Sequence, residues 1–216
     1  MTYRGKATPG APAVRDLPEL LITKASVGPM DNNAYLLQCR ATDELLLIDA
    51  ASEPALLLSL LGGQPLARVV TTHCHRDHWS ALPQVIEVTD AETIAGADDT
   101  DGIPVATSRP VGDGDTVAVG DSTLTVIHLV GHTPGSIALL YDDPEGSPHL
   151  FTGDSLFPGG PGRTTHRKDF ESLMGHLEAK VFGRLPDETW VYPGHGKDTT
   201  LGAERGSIPE WLARGW

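Results

Sequence analysis

Cysteine is scarce in this sequence, with only Cys39 and Cys74 among 216 residues. Two cysteines cannot build the framework of several disulfides that holds small secreted domains together. Long apolar runs are absent as well: residues 1–13 contain no continuous apolar stretch of signal-peptide length, and nowhere do about twenty apolar residues follow one another. We therefore expect a cytoplasmic protein with no membrane partner.

Basic residues are also few, with 16 Lys and Arg against 29 Asp and Glu, and the formal net charge is -13. Proteins that bind nucleic acid do so through an excess of clustered Lys and Arg. The composition therefore predicts no nucleic-acid partner and favours a small-molecule substrate. It leaves the oligomeric state unknown.

The length suits one globular domain with its own core. Pro9, Gly10 and Pro12 interrupt any helix or strand near the N-terminus, where little apolar surface is available as an anchor. We therefore predict a mobile N-terminal arm over residues 1–16 and a single domain over residues 17–216. The 24 Gly and 17 Pro predict many turns and loops in that domain.

Short segments of strand character alternate with turn residues along most of the chain, at residues 20–27, 34–39, 45–48, 67–71, 116–119, 123–129, 136–141 and 149–152. Helices are predicted at residues 53–61, at 80–88 and at 168–182. The last has apolar residues at helical spacing, Phe170, Leu173, Met174, Leu177 and Val181, which should lie against a sheet. Strands precede and follow the helices without strict alternation, which predicts an α+β fold.

Four strong metal ligands fall within six residues directly after the predicted strand 67–71: His73, His75, Asp77 and His78. In extended backbone His73 and His75 share a face, whereas Asp77 and His78 follow where the chain turns. Ligands that point two ways predict two neighbouring metals. Imidazole and carboxylate suit zinc, and iron or manganese are also compatible.

Two coordination spheres need further ligands, and three candidates stand in loops directly after predicted strands. These are His132, Asp154 and His195, each preceded by a glycine that allows close approach of backbone. Any one of them alone would be interpreted as a surface residue. Together they complete a two-metal hypothesis.

These segments resemble the metallo-β-lactamase superfamily, and within it the glyoxalase II-like hydrolases, over roughly residues 18–205. The resemblance is carried by four segments in the expected order: Thr72-His73-Cys74-His75-Arg76-Asp77-His78, Gly131-His132-Thr133-Pro134-Gly135-Ser136, Thr152-Gly153-Asp154-Ser155-Leu156-Phe157 and Pro193-Gly194-His195-Gly196. It implies a four-layer αββα sandwich of mixed sheets with helices on the outer faces. It also implies a site for two divalent metal ions, with zinc as the first expectation.

The resemblance assigns His73, His75 and His132 to one metal and Asp77, His78 and His195 to the other, with Asp154 bridging both. It implies that Asp49 orients a ligand and that Asp77 has a catalytic part, orienting the attacking hydroxide or relaying its proton. Two metals about 3.5 to 4 Å apart would lower the pKa of a shared water and polarise the scissile carbonyl. The expected reaction is therefore hydrolysis of a small thioester or ester.

The expected substrate is a small anion, because Gly162-Arg163 resembles the Gly-Arg pair that closes the same loop in glyoxalase II-like proteins. Arg163 is the first candidate contact for a substrate carboxylate, and Lys197 is the second. Only about twenty residues follow His195, whereas full-length glyoxalase II enzymes carry a helical extension there that grips glutathione. Strict specificity for glutathione thioesters is therefore not expected.

Other functions remain open at this point. Persulfide dioxygenases share the scaffold and bind one iron through the equivalents of His73, His132 and Asp154, although their last motif resembles Pro-Ala-His rather than Pro193-Gly194-His195. Lactone or β-lactam hydrolysis is a further alternative, as is a non-catalytic protein that metals stabilise. Cys74 is interpreted as a bystander, because alternation turns it away from His73 and His75.

Overall fold

The computed structural model describes residues 3–215. Within that range the chain folds into two mixed β-sheets packed face to face, with α-helices on both outer faces. The first sheet has its seven strands in sequence order: β1 (Ala13–Asp16), β2 (Leu20–Val27), β3 (Asn32–Cys39), β4 (Leu45–Ile48), β5 (Leu66–Thr71), β6 (Glu92–Gly96) and β7 (Arg109–Val111).

The first four strands of this sheet are antiparallel, and β4 to β7 are parallel. Parallel neighbours need a crossover connection. Helix α1 (Pro54–Leu60) supplies it between β4 and β5, and α2 (Leu82–Thr89) supplies it between β5 and β6. The carboxyl ends of β4 and β5 consequently lie side by side, and the histidine-rich loop leaves the sheet there.

The second sheet has six strands in the order β15-β14-β11-β10-β9-β8. They are β8 (Thr116–Val119), β9 (Ser122–His128), β10 (Ile137–Tyr141), β11 (His149–Gly153), β14 (Trp190–Pro193) and β15 (Thr199–Thr200). A separate ribbon, β12 (Leu156–Phe157) with β13 (Gly160–Pro161), follows β11. Strands β11 and β14 are parallel, so their following loops open at the same edge.

Of the remaining helices, α3 (Arg167–His176) lies between β13 and β14 in sequence, whereas α4 (Leu201–Arg205) and α5 (Ile208–Arg214) follow β15. Helix α3 runs directly into a π-helical turn, Leu177–Phe182. The apolar spacing predicted this helix, and Phe170, Leu173 and Leu177 are buried as expected.

The core has three parts, because the four layers have three apolar interfaces between them. Between the sheets, apolar side chains of both interleave, among them Ile22, Leu37, Leu46, Val70, Leu124, Leu139, Phe151 and Tyr192. A second cluster packs α1 and α2 on the first sheet, and a third packs α3 and α5 on the second. Each fully buried Leu, Ile or Phe contributes about 1.5 to 3 kcal/mol. The predicted αββα sandwich is confirmed.

The N-terminal region differs from the arm expected over residues 1–16. Strand β1 pairs with β2 at the edge of the first sheet, and the Tyr3 ring lies 5.8 Å from that of Trp190. Ala7 is buried. Local composition could not reveal these anchors because Trp190 is far away in sequence. Met1 and Thr2, which the expectation also covered, lie outside the described residues.

Some elements have no counterpart in the sequence prediction. Strands β6 and β7 and the last two helices, α4 and α5, are among them. No helix within residues 3–215 combines the length and the apolar character needed to cross a bilayer.

Candidate metal centre

All seven predicted ligands converge at the edge where the two sheets meet. His73 and His75 lie in the loop after β5, and Asp77 and His78 belong to a 3-10 turn, Arg76–His78. His132, Asp154 and His195 follow β9, β11 and β14 in the second sheet. Three groups of these residues bring their ligand atoms within 4.8 Å of one another: His73, His75 and His132; His73, His78 and Asp154; and Asp77, His78 and His195.

The first group is a cluster of three imidazoles. Nδ1 of His75 lies 2.9 Å from Nε2 of His132, and the rings of His73 and His132 have centroids 4.8 Å apart. The other nitrogen of His132, Nδ1, lies 2.6 Å from the carbonyl oxygen of Arg163. That contact fixes the His132 ring so that Nε2 faces the cluster.

A second cluster is formed by Asp77, His78 and His195. Nε2 of His195 lies 3.3 Å from Oδ2 of Asp77 and 3.2 Å from Nε2 of His78. Nδ1 of His195 lies 3.0 Å from the carbonyl oxygen of Met30. His195 thus presents Nε2 to the cluster and is held through Nδ1.

Asp154 lies between the cluster of His73, His75 and His132 and the cluster of Asp77, His78 and His195. Its Oδ2 is 3.6 Å from Nε2 of His132 and 3.4 Å from Nε2 of His195, so one carboxylate contacts a histidine of each group. Nε2 of His73 is buried and has no hydrogen-bond partner among the described residues, and the buried Oδ1 of Asp154 has only a contact of 3.3 Å with Nε2 of His78. Buried polar atoms without partners are costly unless something else satisfies them. The donor set and these two atoms fit divalent metal ions.

Asp49 holds the inner face of the centre together. It follows β4 and is buried, its Oδ1 accepts the amide of Thr72 at 2.7 Å, and its Oδ2 accepts the Thr72 hydroxyl at 2.8 Å. Oδ2 also lies 2.8 Å from Nδ1 of His78. The carboxylate therefore contacts His78 and the start of the histidine loop, and the orienting part that the resemblance implies for Asp49 stays a prediction.

Two of the glycines before the ligands permit close approach of neighbouring loops. A Cβ on Gly194 would lie 2.2 Å from Oδ1 of Asp154 and 2.6 Å from the His78 ring. Gly153 has a φ of 48° and would place a Cβ 2.5 Å from Oγ1 of Thr72. A side chain at position 194 would displace Asp154 or His78, and one at position 153 would displace Thr72, which Asp49 holds directly before His73.

Burial and nearby charges shift the pKa values of the clustered side chains in different directions. Burial lowers the pKa of His73 well below its usual value, and the nearby His78 lowers it further. Burial opposes protonation of His78 too, but Asp49 and Asp154 outweigh it and raise the His78 pKa to about 10. Burial likewise disfavours the charged form of Asp154, yet His195 and His78 hold the pKa of this carboxyl well below its usual range. These shifts favour a charged Asp154 and a neutral His73, the states that ligate metals, whereas His78 must lose its proton before it can ligate one.

Two residues that support the centre were missed by sequence reasoning. Asn32, at the start of β3, donates its side-chain amide to Oδ2 of Asp77 at 2.9 Å. Asp99 is buried and accepts the amides of Cys74 at 2.9 Å and Gly135 at 2.7 Å, which ties the His75 loop to the His132 loop. Neither residue adjoins a ligand in sequence, so no local signal could have found them.

The structure keeps Cys74 out of both clusters. Its side chain packs against the apolar cluster of the first sheet, and burial together with the Asp99 carboxylate raises the pKa of the thiol to about 11. Trp79 donates its indole N–H to the carbonyl of Cys74 at 2.8 Å and packs in the same apolar cluster. Both contacts agree with packing roles beside the centre.

The two candidate substrate contacts, Arg163 and Lys197, differ in their surroundings. Arg163 is exposed and borders the centre through its carbonyl contact with His132. It also lines two cavities, one of about 190 Å³ with His166 and Arg167, and one of about 430 Å³ with Phe170 and Arg214. Lys197 is exposed and lines neither of these cavities. The structure thus brings Arg163 next to the histidines, whereas Lys197 lies two residues after His195 and is exposed.

Comparisons with known proteins agree with this geometry. A family model described as the metallo-beta-lactamase superfamily matches residues 27–195, a range that includes all seven ligands. A hydroxyacylglutathione hydrolase of Rhodospirillum rubrum is 35% identical over 168 residues, which are 76% of this chain and 62% of that protein, so the chain spans less than two thirds of this relative. The crystal structure of ETHE1 from Myxococcus xanthus has 29% identity and a TM-score of 0.76 over 87% of this chain and 83% of that chain. TTHA1623, solved in a di-iron-bound form, has 32% identity and a TM-score of 0.68 over 84% of this chain and 96% of that chain.

Proposed function

Because the chain belongs to the metallo-beta-lactamase superfamily, we propose that it is a metal-dependent hydrolase that cleaves a small thioester or ester. One observation carries the proposal: the imidazole cluster of His73, His75 and His132 adjoins the cluster of Asp77, His78 and His195, and Asp154 contacts both. The similarity to a hydroxyacylglutathione hydrolase supports thioester chemistry.

We propose that the centre holds two divalent ions, with zinc as the first candidate and iron or manganese as alternatives. The first three histidines would hold one ion, Asp77, His78 and His195 would hold the other, and Asp154 would bridge them. The relative described as di-iron-bound supports occupancy by two metals. Bound metals would supply a nucleophilic water at neutral pH and polarise the carbonyl under attack.

The protein's own residues set the geometry for that chemistry. Asp49 orients His78 through its 2.8 Å contact, and the buried Asn32 donates a hydrogen bond to the Asp77 carboxylate. The carboxylate of Asp77 borders the open side of the centre and is the group we propose to orient the attacking water or accept its proton. Hydrolysis adds water across the carbon–sulfur bond, so the acyl carbon gains the hydroxyl and the sulfur leaves as a thiol.

We propose that the substrate is a small anion and that Arg163 is its first contact, with Lys197 as a second candidate. Arg163 borders the His132 end of the centre, where its guanidinium can bind a carboxylate through two hydrogen bonds. The reducing cytoplasm is the proposed location, which agrees with the unpaired thiols of Cys39 and Cys74.

The proposal is tested by counting metals in the purified protein and then assaying thioesters, lactones and β-lactams. We expect about two divalent ions per chain and turnover of thioesters. Asp154→Ala should lower both the metal content and the turnover, whereas Asp121→Ala, which removes an exposed carboxylate from the turn between β8 and β9, should change neither. Full metal content and full turnover in Asp154→Ala would refute the bridging role.

A persulfide dioxygenase is the second candidate, because His73, His132 and Asp154 also form the ligand set expected for a single iron and the chain is similar to ETHE1 from Myxococcus xanthus. Oxygen uptake with a thiol persulfide separates the two functions. One iron per chain with rapid uptake would replace the hydrolase proposal, and the absence of uptake would favour it.

A further inference from the structure

A cavity of about 380 Å³ opens beside the second ligand cluster, at the end of the centre away from Arg163. Asp77 belongs both to that cluster and to the cavity wall, and Asn32, which holds Asp77, lines the cavity as well. Arg163, in contrast, adjoins the first cluster through His132. The cavity and Arg163 therefore flank opposite ends of the row of ligands.

The cavity wall is apolar on one side and carries a single cation. Pro29, Met30 and Ala51 supply the apolar part, and Arg76 is the basic residue of the wall. Its volume lies in the range of small-ligand sites. A short carbon chain with one polar end would match these walls.

Arg76 has no ion-pair partner within residues 3–215, although the chain has 29 acidic residues to 16 basic ones. Arg68 and Arg205, by comparison, each pair with a carboxylate. The Arg76 backbone is fixed, since its carbonyl accepts hydrogen bonds from the hydroxyl of Ser80 at 2.7 Å and the amide of Trp79 at 3.2 Å. A guanidinium on a fixed turn beside the reacting centre is suited to a carboxylate ligand.

Resting on the proposed hydrolase function, we infer that this cavity is the acyl subsite and that Arg76 binds a carboxylate at the far end of the acyl chain. The substrate class is then a monothioester or monoester of a short dicarboxylic acid. Its scissile carbonyl would lie over the ligand clusters, its acyl chain in the cavity lined by Met30 and Ala51, and its leaving group toward Arg163.

Two synthetic thioesters of N-acetylcysteamine test the subsite, S-succinyl and S-butyryl, because their acyl chains have equal length and differ in the terminal carboxylate. We expect kcat/KM to be at least tenfold higher for the succinyl compound. Arg76→Met should lower that value by about 10- to 100-fold, mainly through KM, because a hydrogen bond to a charged group is lost. Its kcat/KM for the butyryl compound should stay within about twofold, and Arg76→Lys should recover part of the loss.

Arg163→Met is the matched control. It removes a guanidinium from the other end of the centre, and the N-acetylcysteamine leaving group has no carboxylate for it to bind, so the preference for succinyl over butyryl should remain. The metal content of each variant should equal that of the wild type. Equal losses with both thioesters in Arg76→Met, or no succinyl preference in the wild type, would overturn the subsite.

Calorimetric titration of the metal-loaded protein with succinate and with butyrate separates this inference from the hydrolase proposal. The wild type should bind succinate at least tenfold more tightly than butyrate, and Arg76→Met should bind the two acids with similar Kd values. Arg76-dependent succinate binding without thioester turnover would refute the hydrolase proposal and retain the subsite. Thioester turnover without Arg76-dependent succinate binding would refute the subsite and retain the hydrolase proposal.

Discussion

Replacing Lys24 by Met should destabilise the fold by about 3 kcal/mol, because it removes one partner of a fully buried ion pair. The side chains of Lys24 and Asp198 are both 0% exposed, and Nζ lies 2.5 Å from Oδ1 of Asp198. Nζ also donates to the carbonyl of Gly196 at 2.6 Å, immediately after the ligand His195. The variant would leave the Asp198 carboxylate buried without its cation.

The magnitude follows from what remains around Asp198. Breaking a buried ion pair by removing one partner costs about 3 to 5 kcal/mol. Asp198 keeps two other donors, the hydroxyl of Tyr3 at 2.6 Å and the indole N–H of Trp190 at 2.9 Å. These donors place the expected loss at the lower end of the range. In a chain of this size about 3 kcal/mol corresponds to a fall in Tm of roughly 6 to 12 °C.

The assay is urea unfolding together with a thermal scan of the same preparations. Arg167→Met is the control, since Arg167 pairs with Glu171 on the surface, with 90% and 60% of the two side chains exposed, and such a pair contributes about 0.5 kcal/mol or less. A loss below about 1 kcal/mol in Lys24→Met would refute the reasoning, because the ion pair would then contribute no more than an exposed one.

Two further predictions concern the centre itself. Gly194→Ala should lose bound metal, because the new Cβ would lie 2.2 Å from Oδ1 of Asp154 and 2.6 Å from the His78 ring. Elemental analysis measures the metal content. Gly206→Ala is the control that should keep its metal, because a Cβ there meets nothing within 4 Å. Alkylation of Cys74 by iodoacetamide, followed by mass spectrometry of its peptide, should be more than tenfold slower at pH 8 than in the urea-unfolded protein, because the thiolate is the reactive form and the pKa is raised to about 11. The rate should rise up to about pH 11, and a plateau near pH 9 would contradict the raised pKa.

The sequence predicted most of what is local in the fold. The bounds of β2, β4 and β8 agree with the predicted strands, because apolar segments between turn residues carry their own signal. The π-helical turn after His176 was not predicted, since the apolar spacing continues through it to Phe182. Strand β7 has three residues and includes Pro110, so its strand character depends on pairing with β6.

The metal centre likewise contains residues with a local sequence signal and residues that only the tertiary structure brings together. Four candidate ligands within six residues could be recognised from their spacing, and His132, Asp154 and His195 could be added because each follows a strand and a glycine. The supports could not be found in this way. Lys24 and Asp198 are 174 positions apart, and Asn32 and Asp77 are 45 apart, so only the packed sheets bring them together.

The division of the proposed ligands between the two sheets would link metal uptake to folding. The loop after β5 carries one set of donors, and the other three follow strands of the second sheet. A chain in which only one sheet had formed would offer an incomplete set, so the full affinity belongs to the state in which the sheets are packed together. By mass action, each tenfold excess of metal over its Kd would add about 1.4 kcal/mol to the stability of that state. Bound metal would therefore stabilise the packing of the two sheets against each other, whether or not a substrate is present.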